Sequence, residues 1–314
     1  MHHLVRCKIA VNKCYFVDYL FKIYNRFDVN YIDDFSYTHF HVACMTSCED
    51  AVKKFLEFEQ DPNCLAQKSD NPPMHLNISF CTNLPVLKLL LMNGADLNLA
   101  NMKGWTPLHV IYRKSHSVST LKFLFEYSKD KYKSVQIDAR DNCGNTPLHF
   151  AVENRYYESA EYLLRMGADP NSANEEALTP LHKMCKRIPD VLKDVQNVTE
   201  IFFRIVEDIQ KTVDINARDK LGRTARHYAV ASEFKLQILR LPTSGADPNM
   251  ADEEGLTPLH FICQRKDNYD FAELFFKMNK ELNQQVQVDA RDKLGRTPLQ
   301  LAVANLNLEV VGIL

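Results

Sequence analysis

The chain has 314 residues, 46% of them hydrophobic and 25% charged, with a formal net charge of −2. This apolar content excludes global disorder, and the balanced charge excludes attraction to nucleic acid or an anionic membrane by a net field. Charges break the apolar run of the opening MHHLVRCKIAVNKCYF, and no stretch approaches eighteen uncharged apolar residues, so neither a secretory leader nor a membrane span is read. The nine cysteines are accordingly read as reduced thiols, and the location as cytoplasmic or nuclear.

In chain order, VDYLFKIYNRFDVN (17–30) reads as a helix with its exit turn, which makes residues 1–34 a degraded first unit whose polar start serves as a cap. From there a four-residue box recurs, starting at Thr38, Pro72, Thr106, Thr146, Thr179, Thr224, Thr257 and Thr297. The successive steps are 34, 34, 40, 33, 45, 33 and 40 residues. TPLH is intact at Thr106, Thr146, Thr179 and Thr257; THFH, PPMH, TARH and TPLQ are degraded forms. A companion GADxN ends at Asn98, Asn171 and Asn249, with weaker forms ending at Asn30 and Asn63.

One copy, Gly144 to Asn171, shows the physics. Thr146 suits a helix N-cap and Pro147 the first helical position, where its missing N–H costs nothing. Leu148 and Ala151 share one helix face. A second helix is predicted over Tyr157 to Met166, with Ala160, Leu163 and Leu164 apolar and Gly167 as a left-handed stop. Neither helix can bury its apolar face alone, so stacking on the next copy makes the core.

With the 33-residue period and the T-P-L-H-x-A signature, the chain resembles the ankyrin-repeat family over nearly its whole length. The resemblance implies an all-α ankyrin-repeat solenoid of helix pairs with β-hairpin-like fingers. It is read as a single array over 1–314, with eight repeats in 35–314, the last incomplete because LNLEVVGIL stops within a second helix. That apolar end suggests a truncated chain.

The repeat absorbs two residue classes. Seven of the eleven histidines (His41, His75, His109, His149, His182, His227 and His260) fill the box and are expected to bond the neighbouring threonine and backbone at the junction. Equivalent residues of stacked units stand about 10 Å apart, too far for shared Zn–N bonds of about 2.0 Å. Cys44, Cys185 and Cys263 fall six residues after the box start, where other copies carry Ile78, Val152, Val230 or Val303, and are expected in the core. Cys44 and Cys48, four apart on one helix, form a weak metal signal.

Units also repeat in pairs. RDNCGNT, RDKLGRT and RDKLGRT precede Thr146, Thr224 and Thr297, while NEEALT and DEEGLT lead to Thr179 and Thr257. From Thr146 to Asn171 is 25 residues, but Thr106 to Asp138 and Thr257 to Asp289 are 32, and Thr179 to Asn216 is 37. The excess YSKDKYKS and MNKELNQQ lacks a glycine stop, so second helices about two turns, or roughly 10 Å, longer are expected. RIPDVLKD is expected to extend an inter-helix loop.

Chemical motifs are absent: no GxGxxG, phosphate loop, HExxH or GxSxG occurs. Without such motifs the chain is read as a non-enzymatic scaffold or adaptor, without cofactor or metal, and as monomeric; the family resemblance implies that it binds another protein on its concave face. The finger residues implied are Met102, Lys103 and Trp105; Arg140, Asn142 and Asn145; Glu175 and Glu176; Arg218, Lys220 and Arg223; Glu253 and Glu254; Arg291, Lys293 and Arg296. First-helix candidates are Arg113, Lys114, Lys186, Arg187, Gln264 and Arg265. The alternating finger charges match either a partner of alternating charge or one another. Trp105, the single tryptophan, is either a binding anchor or packed on an adjacent finger, against Met102 for instance. The alternatives are a ubiquitin-ligase substrate receptor whose recruiting segment lies outside this chain and, last, an enzyme or metal protein.

Overall fold

A computed structural model describes residues 14–24, 26–29, 31–34, 36–65, 71–114, 118–130, 134–186, 198–232, 241–265 and 269–314. Contacts divide the chain into two compact units, 1–142 and 143–314. Among the described residues the regular structure is helical, and the β pairing is an isolated antiparallel bridge between Ile32 and Thr38. No helix among them is long and apolar enough to cross a membrane.

The first unit runs α1 (Cys14–Ile23), α2 (His39–Met45), α3 (Glu49–Glu57), α4 (Pro73–Phe80), α5 (Leu84–Met92), α6 (Pro107–Lys114) and α7 (Val118–Asp130). The helices that carry the box, α2, α4 and α6, pack side by side, as do the second helices α3 and α5. The second unit runs α8 (Pro147–Glu153), α9 (Tyr157–Arg165), α10 (Pro180–Lys186), α11 (Val198–Asp208), α12 (Ala225–Ala231), α13 (Pro258–Cys263), α14 (Tyr269–Glu281), α15 (Pro298–Ala304) and α16 (Leu308–Ile313). Here α8, α10, α12, α13 and α15 form the row of first helices.

Local chemistry sets the helix ends. At Thr38, Thr146, Thr224, Thr257 and Thr297 the threonine and the residue three positions on cap each other reciprocally. Second helices stop at a left-handed residue. Gly167 takes φ 112° after α9, and Gly94 takes φ 92° after α5. Two copies without glycine stop in the same way: Gln210 and Asn283 take φ 55° and 53°.

This stop shortens the expected long helices. α14 has 13 residues against nine in α9, one extra turn of about 6 Å rather than two. Asn283 in the left-handed region ends it, and the remaining excess joins the exit segment. α7 is described over 13 residues, up to Asp130, and the residues 131–133 that follow lie outside the described ones. The expected loop RIPDVLKD lies outside the described residues, as does the N-terminal cap.

The core follows the box. Leu148, Ala151, Leu163 and Leu164 are buried, as are Cys44, Cys185 and Cys263. Burial raises the thiol pKa of Cys44 and Cys185, and pushes Cys263 up to about 12. Two expectations are corrected. Cys44 and Cys48 do not share a helix: α2 ends at Met45, and Cys48 is the N-cap position of α3, its Sγ 3.2 Å from Thr46 Oγ1. Val303 is 54% exposed, although Ile78, Val152 and Val230 in the same slot are at most 2% exposed: among the described residues α15 packs on one first helix, α13, and on α16, whereas α4 and α12 each pack between two first helices.

TARH is more than a degraded box. Arg226 stands where five other copies carry leucine and two carry Phe40 and Met74, yet it is 2% exposed. Its Nη1 donates to the Ala246 carbonyl at 2.7 Å and its Nη2 to Asn279 Oδ1 at 2.8 Å, with the guanidinium 4.7 Å from the Phe275 ring centroid. Burial lowers its pKa to about 9, so it remains a cation at neutral pH. Asn279 lies in the last turn of the long helix α14, so the departure from the box and the added helix length meet in one buried contact.

Candidate partner-binding face

Between second helix and next box, five of the described copies make a tight finger, each built on one acceptor. Asn101 Oδ1 accepts from the backbone N–H of Lys103 and of Trp105, each at 3.0 Å. Asn174, Asp219, Asp252 and Asp292 do the same for the residues two and four positions on. These side chains fold the chain into a turn without any strand. A left-handed residue then completes it: Gly104, Gly144, Gly222, Gly255, Gly295 and, in one copy, Ala177 at φ 59°.

Consecutive tips are tied by one backbone bond each. In the first unit Asn142 N–H donates to the Lys103 carbonyl at 3.0 Å. In the second unit the series runs Glu175 to Cys143, Lys220 to Glu176, Glu253 to Leu221 and Lys293 to Glu254, at 2.8 to 3.1 Å. The approach is close: a Cβ on Gly104 would lie 2.7 Å from Asn142 N, and one on Gly222 2.8 Å from Glu253 N.

Histidines make a deeper tie. The Thr146 backbone N–H points at His149 Nδ1 at 3.0 Å, so that nitrogen holds the lone pair and Nε2 the proton. Nε2 then donates to the Leu178 carbonyl of the next copy at 2.9 Å. His182 reaches Arg223 at 3.1 Å, His227 Leu256 at 3.0 Å and His260 Arg296 at 3.2 Å. Burial pushes the pKa of His75 and His227 down to about 4 and lowers those of His182 and His260. The family asparagines form a third tie: Asn171 Nδ2 donates to the Thr212 carbonyl, and its Oδ1 accepts from Asp214 N–H, both at 2.8 Å. Among the described residues no three His, Cys, Asp or Glu side chains group as metal ligands.

Within this frame the implied contact residues separate. Trp105 is half-buried. Its ring N–H donates to Asp141 of the adjacent finger at 3.2 Å, its carbonyl accepts from His75 at 2.7 Å, and Lys103 Nζ stands over the ring at 5.0 Å. Met102 is 71% exposed. Asn142 is exposed but donates to the Met102 carbonyl at 2.6 Å. Asn145 is buried and accepts from Asn174 at 2.8 Å. Arg140, Glu175, Glu176 and Lys220 are exposed.

The alternating charges meet one another. Arg218 pairs with Glu253 at 3.2 Å, Arg223 with Asp252 at 3.4 Å and Lys293 with Glu254 at 3.7 Å. Arg296 turns back on its own Asp292 at 2.7 Å, and Arg291 donates to the Gly295 carbonyl at 2.9 Å. On the first helices, Lys186 is exposed with its Nζ 5.6 Å from the Tyr228 ring centroid, Gln264 is exposed, and Arg265 donates to the Ala231 carbonyl. Arg113 and Lys114 end α6, but their side chains, and all of Arg187, lie outside the described residues.

Paired helices stacked copy on copy, with histidine-tied junctions and laddered tips, define a repeat protein whose surface is organised by its fingers. The ankyrin-repeat model matches residues 7–101, 74–174 and 227–314, so this chain belongs to the ankyrin-repeat family. It is 29% identical over 173 residues to the human transient receptor potential cation channel subfamily A member 1, a match covering 54% of this chain and 14% of the channel. It is 28% identical over 171 residues to the mouse B-cell lymphoma 3 protein homolog, covering 53% of this chain and 36% of that protein. The matched segments thus span well under half of these relatives. Among solved structures, the ankyrin repeat domain of Bcl-3, a member of the IkappaB protein family, superposes with a TM-score of 0.57 at 23% identity, covering 70% of this chain and 91% of that one, a likeness of fold.

Proposed function

We propose that this chain is a non-enzymatic interaction scaffold that holds a partner protein on its finger tips and on the exposed positions of its box helices. The observation that carries this reading is the ladder. Tip-to-tip bonds and buried or half-buried Asx acceptors fix the finger backbones, while Met102, Lys103, Glu175, Glu176 and Lys220 extend from them into solvent. A pre-ordered surface with exposed side chains loses little conformational freedom on binding. Trp105 serves this surface as a platform: its N–H is engaged within the finger pair and its ring supports Lys103. The setting is the cytoplasm or nucleus, supported by free thiols at the described cysteines, the exposed Cys81 and Cys143 included.

The test is affinity capture from the source cells with quantitative mass spectrometry. Bait with Met102→Ser and Lys103→Glu, and bait with Glu175→Lys and Glu176→Lys, are compared with bait altered on second helices at Glu158→Lys and Glu273→Lys. A protein retained by wild type and by the second-helix bait, but lost from a finger bait, supports the reading. Loss from the second-helix bait alone overturns it.

A further inference from the structure

In the second unit, the tip residue that precedes the left-handed turn position is Cys143, Glu176, Leu221, Glu254 and Leu294 in successive fingers. From Glu176 onward, apolar and acidic tips alternate. The leucines are not packed: Leu221 is 52% and Leu294 74% exposed. Each tip through Glu254 supplies the carbonyl that the next finger's N–H bonds, which fixes where its side chain leaves the surface. The period of two fingers follows from the two-unit block seen in the sequence, and it places two exposed leucines and two exposed acids in one row.

We propose that this row docks a partner's α-helix that carries arginine or lysine and leucine alternately, seven residues apart, along one face. The proposal rests on the scaffold reading and specifies the chemistry of its partner. Box helices packed side by side lie roughly 10 Å apart, so neighbouring tips have that spacing. Two turns of α-helix, about seven residues, advance about 10.5 Å and return to the same face. Fully extended strand does not fit, because its side chains alternate sides and a residue three on, about 10 Å away, faces away. Helix cations then meet Glu176 and Glu254, and helix leucines meet Leu221 and Leu294.

The local charges permit this. Among the described residues Glu176 makes no ion pair, and Glu254 holds Lys293 at 3.7 Å with both side chains well exposed, a pairing too weak to exclude a guanidinium. Arg218 is already engaged by Glu253 at 3.2 Å, and Lys220 meets Glu176 through its backbone N–H, which donates to the Glu176 carbonyl at 3.1 Å. An incoming arginine at Glu176 is therefore favoured over lysine, since its planar fork binds the carboxylate in two places.

The experiment uses a 28-residue helical peptide of alanine and glutamine bearing Arg at positions 4 and 18 and Leu at 11 and 25. A control peptide carries Glu in place of both Arg. Each is titrated into the full chain by fluorescence anisotropy. The expected result is saturable micromolar binding of the Arg peptide, weakened about tenfold and with a flatter salt dependence by Glu176→Lys with Glu254→Lys. Leu221→Ser with Leu294→Ser weakens it about tenfold with the salt dependence kept, and both variants melt as wild type. Absence of saturable binding, equal binding of the control peptide, or affinity unmoved by both tip variants overturns the proposal. In any of those cases a partner lost from the finger baits still supports the scaffold reading, so the two failures are distinguishable.

Discussion

His75 donates its Nε2 proton to the carbonyl of Trp105 at 2.7 Å, while its Nδ1 is buried without a partner. The other threonine-led boxes supply a backbone N–H to that nitrogen, and Pro72 has none to give. Pro72 already holds φ −59° and ψ 159°, close to the φ −91° and ψ 165° of the threonine cap at Thr146. Pro72→Thr therefore restores the donor without moving the chain. A satisfied buried acceptor outweighs the lost rigidity of proline, for a net gain of about 1 kcal/mol. Chemical denaturation checks this, and an unchanged or lowered midpoint contradicts it.

The junction histidines make stability depend on acid. Unfolded histidine titrates near pH 6.5, whereas burial holds folded His75 and His227 at about 4. Above about pH 6.5 both states are neutral and stability is complete. As pH falls from there towards 4, the unfolded chain takes up protons that the folded chain refuses, so stability drops, then levels off. Each of the two contributes on the order of 3 kcal/mol at the acid end. Urea midpoints between pH 7.5 and 4 report it; midpoints constant over that window contradict it.

Finger glycines and Ala177 make opposite predictions. Ala177 holds φ 59°, where an L side chain is strained, so Ala177→Gly is expected to stabilise by about 1 kcal/mol. At Gly222, φ is +73° and a Cβ would stand 2.8 Å from Glu253 N, so Gly222→Ala is expected to cost about 2 kcal/mol or more. Thermal melts of the pair check the sign in each case.

Arg226→Ala removes the donors to Ala246 and Asn279 and empties a packed site. The loss is expected at about 3 kcal/mol, from a cavity plus unpaired acceptors. Arg226→Leu fills the space as the other boxes do and is expected to recover part of it. Equal melts for Arg226→Ala and wild type contradict the assignment.

Much of this was readable from residue order, because an array repeats its own evidence. Thr146, Pro147, His149 and Gly167 occupy the roles that their types suggest, and eight aligned boxes make those types unambiguous. What was not readable involves partners far apart in sequence or stops made by unexpected residues. Nothing local marks Arg226 as bonded to Asn279, 53 residues on, and its box looked merely decayed. Asn283 ended α14 a turn earlier than the missing glycine suggested. Whether the finger charges faced a partner or each other depended on distances such as Arg218 to Glu253, which sequence does not supply.

The central claim is that the laddered fingers, rather than the second helices, present the binding surface. Its most direct test is calorimetric titration of a captured partner into wild type, a finger variant with Glu175→Lys and Glu176→Lys, and a second-helix variant with Glu158→Lys and Glu273→Lys, each beside a thermal melt. An affinity loss of about tenfold or more is expected for the finger variant alone, with all three melts alike. Loss confined to the second-helix variant, with the finger variant binding as wild type, would contradict it.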